Sequence, residues 1–190
     1  MLKLIITTLT GLMLFFAPSV LAQEEMSPEQ KAWMDYMTPG AMHEMMAKSV
    51  GDWKTVNKFW TDPESEPMVN EGTARVEMIL GGRYMQTTHH STVMGMPMEG
   101  INLQCYDNAT QQFTAVWIDN LGTGMSVSTG VYDGDANTIN YAGTMVDPMT
   151  GDEISYRSTH QIIDDNHQIY EMFMTNEDGE FRSMVVELSR

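Results

Sequence analysis

The chain has 190 residues, with 26 acidic and 10 basic side chains and a formal net charge of −16 at pH 7. This balance argues against nucleic-acid binding, which needs a positive surface to replace counterions, and it disfavours adhesion to anionic membranes. The single cysteine, Cys105, excludes an intrachain disulfide, so stability must come from packing in a domain-sized core.

The first 22 residues predict a secretory signal peptide. Lys3 precedes an apolar run at residues 4–16, and Val20-Leu21-Ala22 places a small residue before Gln23. This order is typical of exported proteins, and the apolar run is too short for a membrane span. We therefore expect cleavage near Ala22 and a periplasmic or secreted product with no stable membrane anchor. That product has 26 acidic and 9 basic residues, a net charge of −17.

Residues 23–50 predict two short helices. Ser27-Pro28-Glu29-Gln30 has the capping-box form, with proline at the first helical position. Thr38-Pro39 repeats the cap-then-proline start, and Gly51 is expected to end the second helix. That helix should carry one apolar stripe at helical spacing, formed by Met42, Met45, Met46 and Val50.

Residues 51–190 predict a β-domain of about ten strands. Early strands are expected at 52–60, 72–80, 82–93 and 98–106. Later segments are rich in β-branched and aromatic residues, as in the alternating set Ile139, Tyr141, Gly143 and Met145. They are separated by nearly regular turn signals: Asp107-Asn108, Asp119-Asn120, Asp133-Gly134, Asp147-Pro148, Asp164-Asp165-Asn166 and Asp178-Gly179.

Such a run of short hairpins favours a mainly β fold, an antiparallel up-and-down β-barrel, with the two N-terminal helices at one end. Closing the barrel removes the exposed strand edges. A two-sheet sandwich is the alternative, but the regular hairpins favour the meander. A barrel of this size is either filled by side chains or holds one small ligand.

Several motifs occur in a recognisable order: Gly81-Gly82-Arg83, Gly95-Met96-Pro97-Met98-Glu99-Gly100, Tyr106-Asp107-Asn108, Trp117-Ile118-Asp119 and Asp147-Pro148-Met149-Thr150-Gly151. Across roughly residues 44–190 the chain resembles a bacterial family, the domain of unknown function 1579. The resemblance implies a calycin-like, lipocalin-resembling β-barrel and implies no activity. One departure is Cys105, where the family pattern usually has glycine.

The stretch 87–100 raises the question of a metal site. Met94, Met96 and Met98 have the alternate spacing of a cuprous site, but the chain has 20 methionines, and Gly95 and Pro97 interrupt a regular strand. We interpret the stretch as a turn between two strands. His89 and His90 are neighbours on a strand, so at most one of them points into the barrel.

No catalytic motif is present, and Cys105 shares its parity with Ile101 and Leu103, which predicts a buried thiol. We expect a small, partly apolar ligand in an interior lined by aromatic residues; the cofactor, if any, and the oligomeric state are unknown. Copper or haem binding through Met and His is the alternative, and a hydrolase of small esters is a weaker one. Candidate ligand-binding residues are Arg83, His89, Trp117, Tyr141, Tyr156, His160 and Glu171.

Glu171 is included because it lies between Ile169 and Phe173, with Arg83 or Arg157 as its expected partner. A carboxylate that faces a barrel interior must be paired or neutral. A buried salt bridge or an exposed glutamate are the alternatives for this position.

Overall fold

The computed structural model describes residues 26–177 and 179–190, so the predicted signal peptide lies outside the described residues. Among the described residues no helix has the length and apolar character needed to cross a membrane. Two helices precede ten strands: α1 Pro28–Met37, α2 Ala41–Ala47, β1 Gly51–Phe59, β2 Met68–Ile79, β3 Tyr84–Val93, β4 Met96–Asp107, β5 Gln112–Asp119, β6 Ser126–Asp133, β7 Thr138–Val146, β8 Glu153–Asp164, β9 His167–Asn176 and β10 Gly179–Ser189.

The ten strands form a closed antiparallel barrel, as predicted from the turn signals. Each strand pairs with its neighbours in sequence, and β1 closes the ring by pairing with β10. The predicted barrel is therefore confirmed, and the sandwich alternative is wrong. Three strand starts differ from the predicted ones by two residues or more. Strand β2 begins at Met68 because Met68 pairs with Phe59, and β4 begins at Met96 because Met96 pairs with Val93. Strand β3 begins only at Tyr84, because Gly81 and Gly82 lie in the preceding turn with positive φ.

The start of α1 follows the predicted capping box, but the start of α2 does not follow its prediction. Ser27 Oγ accepts a hydrogen bond from the Gln30 amide at 3.2 Å. Thr38 ends α1 instead of beginning α2, and its hydroxyl donates to the Met34 carbonyl at 2.6 Å. The α2 cap is Gly40, whose amide donates to His43 Nδ1 at 3.1 Å. Thr38 is therefore the C-cap of α1.

Helix α2 closes one end of the barrel, which we call the helix end. Met46 is 2% exposed and joins the core, while the ring of His43 packs edge-on against Tyr106 with centroids 6.0 Å apart. Val50 lies outside the predicted stripe and is exposed, because α2 ends at Ala47 and β1 begins at Gly51.

The C-terminal residue fixes the chain between α2 and β1. The Arg190 guanidinium donates to the carbonyls of Val50 and Lys48, at 2.8 and 2.9 Å, and stacks 4.3 Å from the ring centre of Trp53. Trp53 Nε1 in turn donates to the Ser49 carbonyl at 2.8 Å. These contacts satisfy carbonyls that α2 leaves without partners at its end.

Candidate ligand site in the barrel interior

The buried apolar cluster of the core is concentrated in one half of the barrel. At the helix end, Trp53, Phe113 and Ile139 are 2%, 0% and 1% exposed and belong to one apolar cluster. Toward the other end, which carries five strand connections and which we call the loop end, small or polar inward residues such as Ser126 and Gly143 are mixed with larger ones such as Met145 and Ile154. There His89, Asn102 and Trp117 are only partly buried. The loop-end half is therefore taken as the candidate site.

His89 is the central polar group of that half. It faces inward on β3, and its ring meets Trp117 edge-on, with centroids 5.4 Å apart and planes at 63°. Burial, followed by the nearby His90 and His160, lowers the pKa of His89 to about 4. Its ring nitrogens make no hydrogen bond to any described residue. At neutral pH the ring is therefore uncharged, with one N–H to donate and one lone pair to accept.

His160 lies near His89 but already has a partner. Its Nε2 is 2.9 Å from Gln168 Oε1, and Gln168 Nε2 donates to Ser49 Oγ at 2.9 Å. Burial lowers the pKa of His160, against the opposing effect of the Gln168 hydrogen bond. Because Gln168 Nε2 is the donor to Ser49, its oxygen must accept from His160, which fixes the tautomer of that ring. His160 therefore anchors the barrel wall to the segment that follows α2.

Three aromatic side chains lie flat against glycines on the inner wall. A Cβ added at Gly100 would stand 2.3 Å from the Trp117 ring, and one at Gly130 would stand 2.6 Å from the Tyr141 ring. At Gly143, an added Cβ would lie 2.7 Å from the ring of Tyr156. Glycine inside a strand marks such close approaches. The rings thus occupy the space that a side chain at each glycine would take.

Asp119 holds the indole of Trp117 in this position. Its Oδ2 accepts a hydrogen bond from Trp117 Nε1 at 2.7 Å. Its Oδ1 accepts from the amides of Leu121 and Gly122, at 2.9 and 3.1 Å, so the same carboxylate also shapes the connection between β5 and β6. All three donors bind the carboxylate, which makes Asp119 a structural anchor for the wall.

Three buried hydroxyl oxygens of the interior have no hydrogen-bond partner among the described residues: Ser91 Oγ on β3, and Tyr141 Oη and Ser158 Oγ at paired positions of β7 and β8. Tyr141 is only 5% exposed, and burial raises the pKa of its hydroxyl. A buried polar group without a partner costs about 1–3 kcal/mol, so these oxygens favour a bound polar atom. In contrast, the Tyr156 hydroxyl is within 3.4 Å of Ser126 Oγ.

Five of the seven candidate residues face the interior: His89, Trp117, Tyr141, Tyr156 and His160. Two do not. Arg83 lies in the exposed connection between β2 and β3, where Nη2 donates to the Met37 carbonyl at 2.7 Å. Glu171 lies on the outer wall and accepts from Arg182 Nη1 at 2.9 Å.

Neither of the partners expected for Glu171 binds it through a hydrogen bond. Arg157 instead pairs with Glu180, with both donor–acceptor distances at 2.6 Å. Both faces of β9 carry apolar residues, so alternation alone did not decide which way Glu171 points.

Cys105 lies on the outer wall, and Met94 and Met96 are exposed at the β3–β4 hairpin, whereas Met98 is half-buried on the inward face of β4 opposite Ser91. Cys105 pairs with Thr114 and Tyr84 on the outer wall, where it is half-buried, because β4 turns the polar set Asn102 and Gln104 inward. The expected buried position of Cys105 is therefore wrong. Met94 and Gly95 form a two-residue turn with positive φ at both residues, and Met94 is 75% exposed. Within residues 26–177 and 179–190, no group of three or more His, Cys, Asp or Glu is placed to hold a metal ion.

The sequence reasoning missed the residues that shape the site rather than line it. Asp119 was interpreted as a turn residue, and its second role toward Trp117 went unseen. Gly100 and Gly143 could have predicted the close approach of the rings, because each lies at an inward-facing position of its strand and has no side chain to fill it. Ser91 and Gln168 gave no signal that separates them from ordinary polar strand residues.

A family model described as "Protein of unknown function (DUF1579)" matches residues 38–190. The chain belongs to this family. The match covers the whole barrel and α2, which agrees with the motifs that first suggested the relationship. No curated protein sequence gives a significant match to the chain.

Solved structures that match the chain include the following two. The crystal structure of Rv2717c from M. tuberculosis superposes with a TM-score of 0.60 at 13% identity, covering 80% of this chain and 99% of that one. A redesigned β-barrel, b11L5F_LGL, gives a TM-score of 0.40 at 12% identity, covering 80% of this chain and 98% of that one. At 13% identity, the similarity to Rv2717c concerns the fold alone. The similarity to the redesigned barrel is too low to support an argument.

Proposed function

We propose that this family member binds a small, partly apolar ligand in the loop-end half of its barrel, beside His89 and Trp117. The observation that carries the proposal is a set of inward polar atoms without a hydrogen-bond partner among the described residues: the His89 ring nitrogens, Ser91 Oγ, Tyr141 Oη and Ser158 Oγ. Apolar walls with a few unpaired polar groups are the usual composition of a small-molecule site. The predicted export of the chain would make it a periplasmic or secreted binding protein.

The wall geometry supports this proposal. Trp117, Tyr141 and Tyr156 lie against glycines, so large aromatic faces line the interior wall. The Trp117 indole is fixed by Asp119 and so is already positioned before a ligand arrives. A wall ordered in advance lowers the entropic cost of binding.

The test uses two neighbouring residues of β6 that point to opposite faces. Ser126 pairs with Trp117 on the inside, whereas Val127 is 41% exposed on the outside. We expect the neutral fluorescent probe prodan to bind the native protein and to quench Trp117. Ser126→Phe should weaken binding about tenfold or more by occupying the site, and Val127→Phe should not change it.

The unfolding midpoint of each variant establishes that it is folded. Exposed Trp33 on α1 supplies a spectral control, because Trp33→Phe should leave the quenching intact and Trp117→Phe should remove it. Equal binding by the two β6 variants would place the probe outside the barrel and refute the proposal.

A second candidate function is haem or cuprous copper binding, favoured only by the unbonded ring of His89. A neutral imidazole with a free lone pair is a common metal ligand. The exposed Met94 and Met96 at the β3–β4 hairpin do not join His89 in one site, since they lie at the hairpin tip. A haem titration followed by absorbance tests this function, and a haem-protein spectrum that His89→Phe abolishes would favour it over the first proposal.

A further inference from the structure

The loop-end half of the interior is without free charge. Among the described strand residues that face inward, none is Lys or Arg, and the one carboxylate, Asp119, is bound by Trp117 and two backbone amides. The charged residues of the strands lie on the outer wall, many of them in ion pairs such as Arg157 with Glu180. A charged ligand group inside would therefore find no counter-charge.

The connections around the loop end carry negative charge and no positive charge, which further restricts the ligands that can enter. They span residues 60–67, 94–95, 120–125, 147–152 and 177–178, and no Lys or Arg occurs in them. Their described acidic residues are Asp62, Glu64, Glu66, Asp147, Asp152 and Glu177. An entrance lined by negative charge repels anions over a distance of about 8–10 Å at physiological ionic strength.

We infer that the ligand is an electrically neutral molecule with an apolar body and a hydroxyl or amide donor that hydrogen-bonds to His89, and that carboxylates and phosphates are excluded. This inference rests on the proposed function, whose ligand class it narrows. His89 accepts from the ligand, and Tyr141 Oη or Ser91 Oγ meets a second polar atom. An anion would pay the desolvation of its charge inside the barrel with no partner to offset it.

The test uses three ligands of one shape and different polarity. At pH 7, 2-naphthol is neutral and donates a hydrogen bond, 2-methoxynaphthalene is neutral and cannot donate, and 2-naphthoate is an anion. We expect 2-naphthol to bind about tenfold tighter than the methyl ether, as one hydrogen bond predicts. Naphthoate should bind at least about 100-fold more weakly than naphthol.

Adjacent histidines on β3 provide the matched variants. His89→Phe keeps an aromatic ring beside Trp117 but removes the acceptor, so naphthol should lose its advantage over the methyl ether. His89→Gln restores an acceptor and should recover part of it. His90→Phe, on the exposed outer face, should behave as the native protein.

The possible results distinguish a failure of the proposed binding function from a failure of the neutral-ligand inference. Failure of all three ligands to bind would overturn the proposed site and this inference with it. If naphthoate binds as tightly as naphthol, the proposed binding site is supported, but the inference that it accepts only neutral ligands is wrong. If the weakness of naphthoate disappears at 1 M salt, only the entrance repels anions, and the assignment of an uncharged interior is wrong.

Discussion

Replacement of Gly100 by alanine tests whether the wall of the site is built as described. The new Cβ would stand 2.3 Å from two atoms of the Trp117 ring, where ordinary contacts are about 3.5–4 Å. The indole must therefore move by more than about 1 Å, which breaks its 2.7 Å hydrogen bond to Asp119.

The magnitude follows from three effects. Overpacking costs about 1–3 kcal/mol, and loss of a hydrogen bond to a charged acceptor costs about 1.5–3 kcal/mol. In the opposite direction, alanine lowers the conformational entropy of the unfolded chain, which stabilises the folded state by about 0.4–1 kcal/mol relative to glycine. We expect Gly100→Ala to lower the free energy of unfolding by about 2–5 kcal/mol and to shift the Trp117 emission.

Urea unfolding followed by circular dichroism measures the change, with Gly124→Ala as control. Gly124 has no atom within 4 Å of an added Cβ, so its substitution should be neutral or slightly stabilising. If Gly100→Ala is as stable as Gly124→Ala and keeps the native emission, the described packing of Trp117 is wrong.

Three further predictions concern pH, the C-terminus and copper. The pKa of His89 is about 4 in the folded state against an ordinary value of 6.5, so the unfolded state binds the proton first as the pH falls. The free energy of unfolding should therefore drop by about 3 kcal/mol between pH 6.5 and 4. The His89→Gln variant should show a smaller drop when unfolding is measured across the same pH range. Arg190→Ala should lower the free energy of unfolding by about 1–3 kcal/mol, because it removes hydrogen bonds to backbone carbonyls and the contact with the Trp53 ring. Arg75→Ala is the control in the same urea assay and should leave the stability nearly unchanged, because the ion pairs of Arg75 are exposed. Replacing Met94, Met96 and Met98 together by leucine should preserve the thermal midpoint and leave cuprous titrations unchanged, because Met94 and Met96 are exposed and leucine fits the half-buried position of Met98. Tight copper binding that this triple variant loses would contradict the interpretation of the stretch as a turn.

The barrel was predictable because local signals repeat along the chain. Each turn carries Asp, Asn or Gly, and the inward set of β7, from Ile139 through Tyr141, alternates as a half-buried strand should. The capping box at Ser27 was equally local and was confirmed. These features depend on residues a few positions apart, and so the sequence alone contains them.

The errors arise where neighbours on other strands decide the outcome. Cys105 shares a parity with apolar residues, yet the pairing of Gln104 with Met85 turns the opposite face inward. Glu171 sits in a strand with two apolar faces, and only Arg182, eleven residues away in sequence, fixes it outside. The glycine–aromatic contacts also join different strands, so no single stretch of sequence reveals the shape of the site.

The most direct test of the central claim is nuclear magnetic resonance of the histidine side chains, labelled with ¹⁵N, during a titration with 2-naphthol. A ligand inside the loop-end half should shift the ring nitrogens of His89 while keeping that ring neutral, because it accepts a hydrogen bond from the hydroxyl. The exposed rings of His90 and His167 should not change. If 2-naphthol saturates the protein while the His89 nitrogens stay fixed, the ligand does not occupy the barrel interior beside His89, and the account is contradicted.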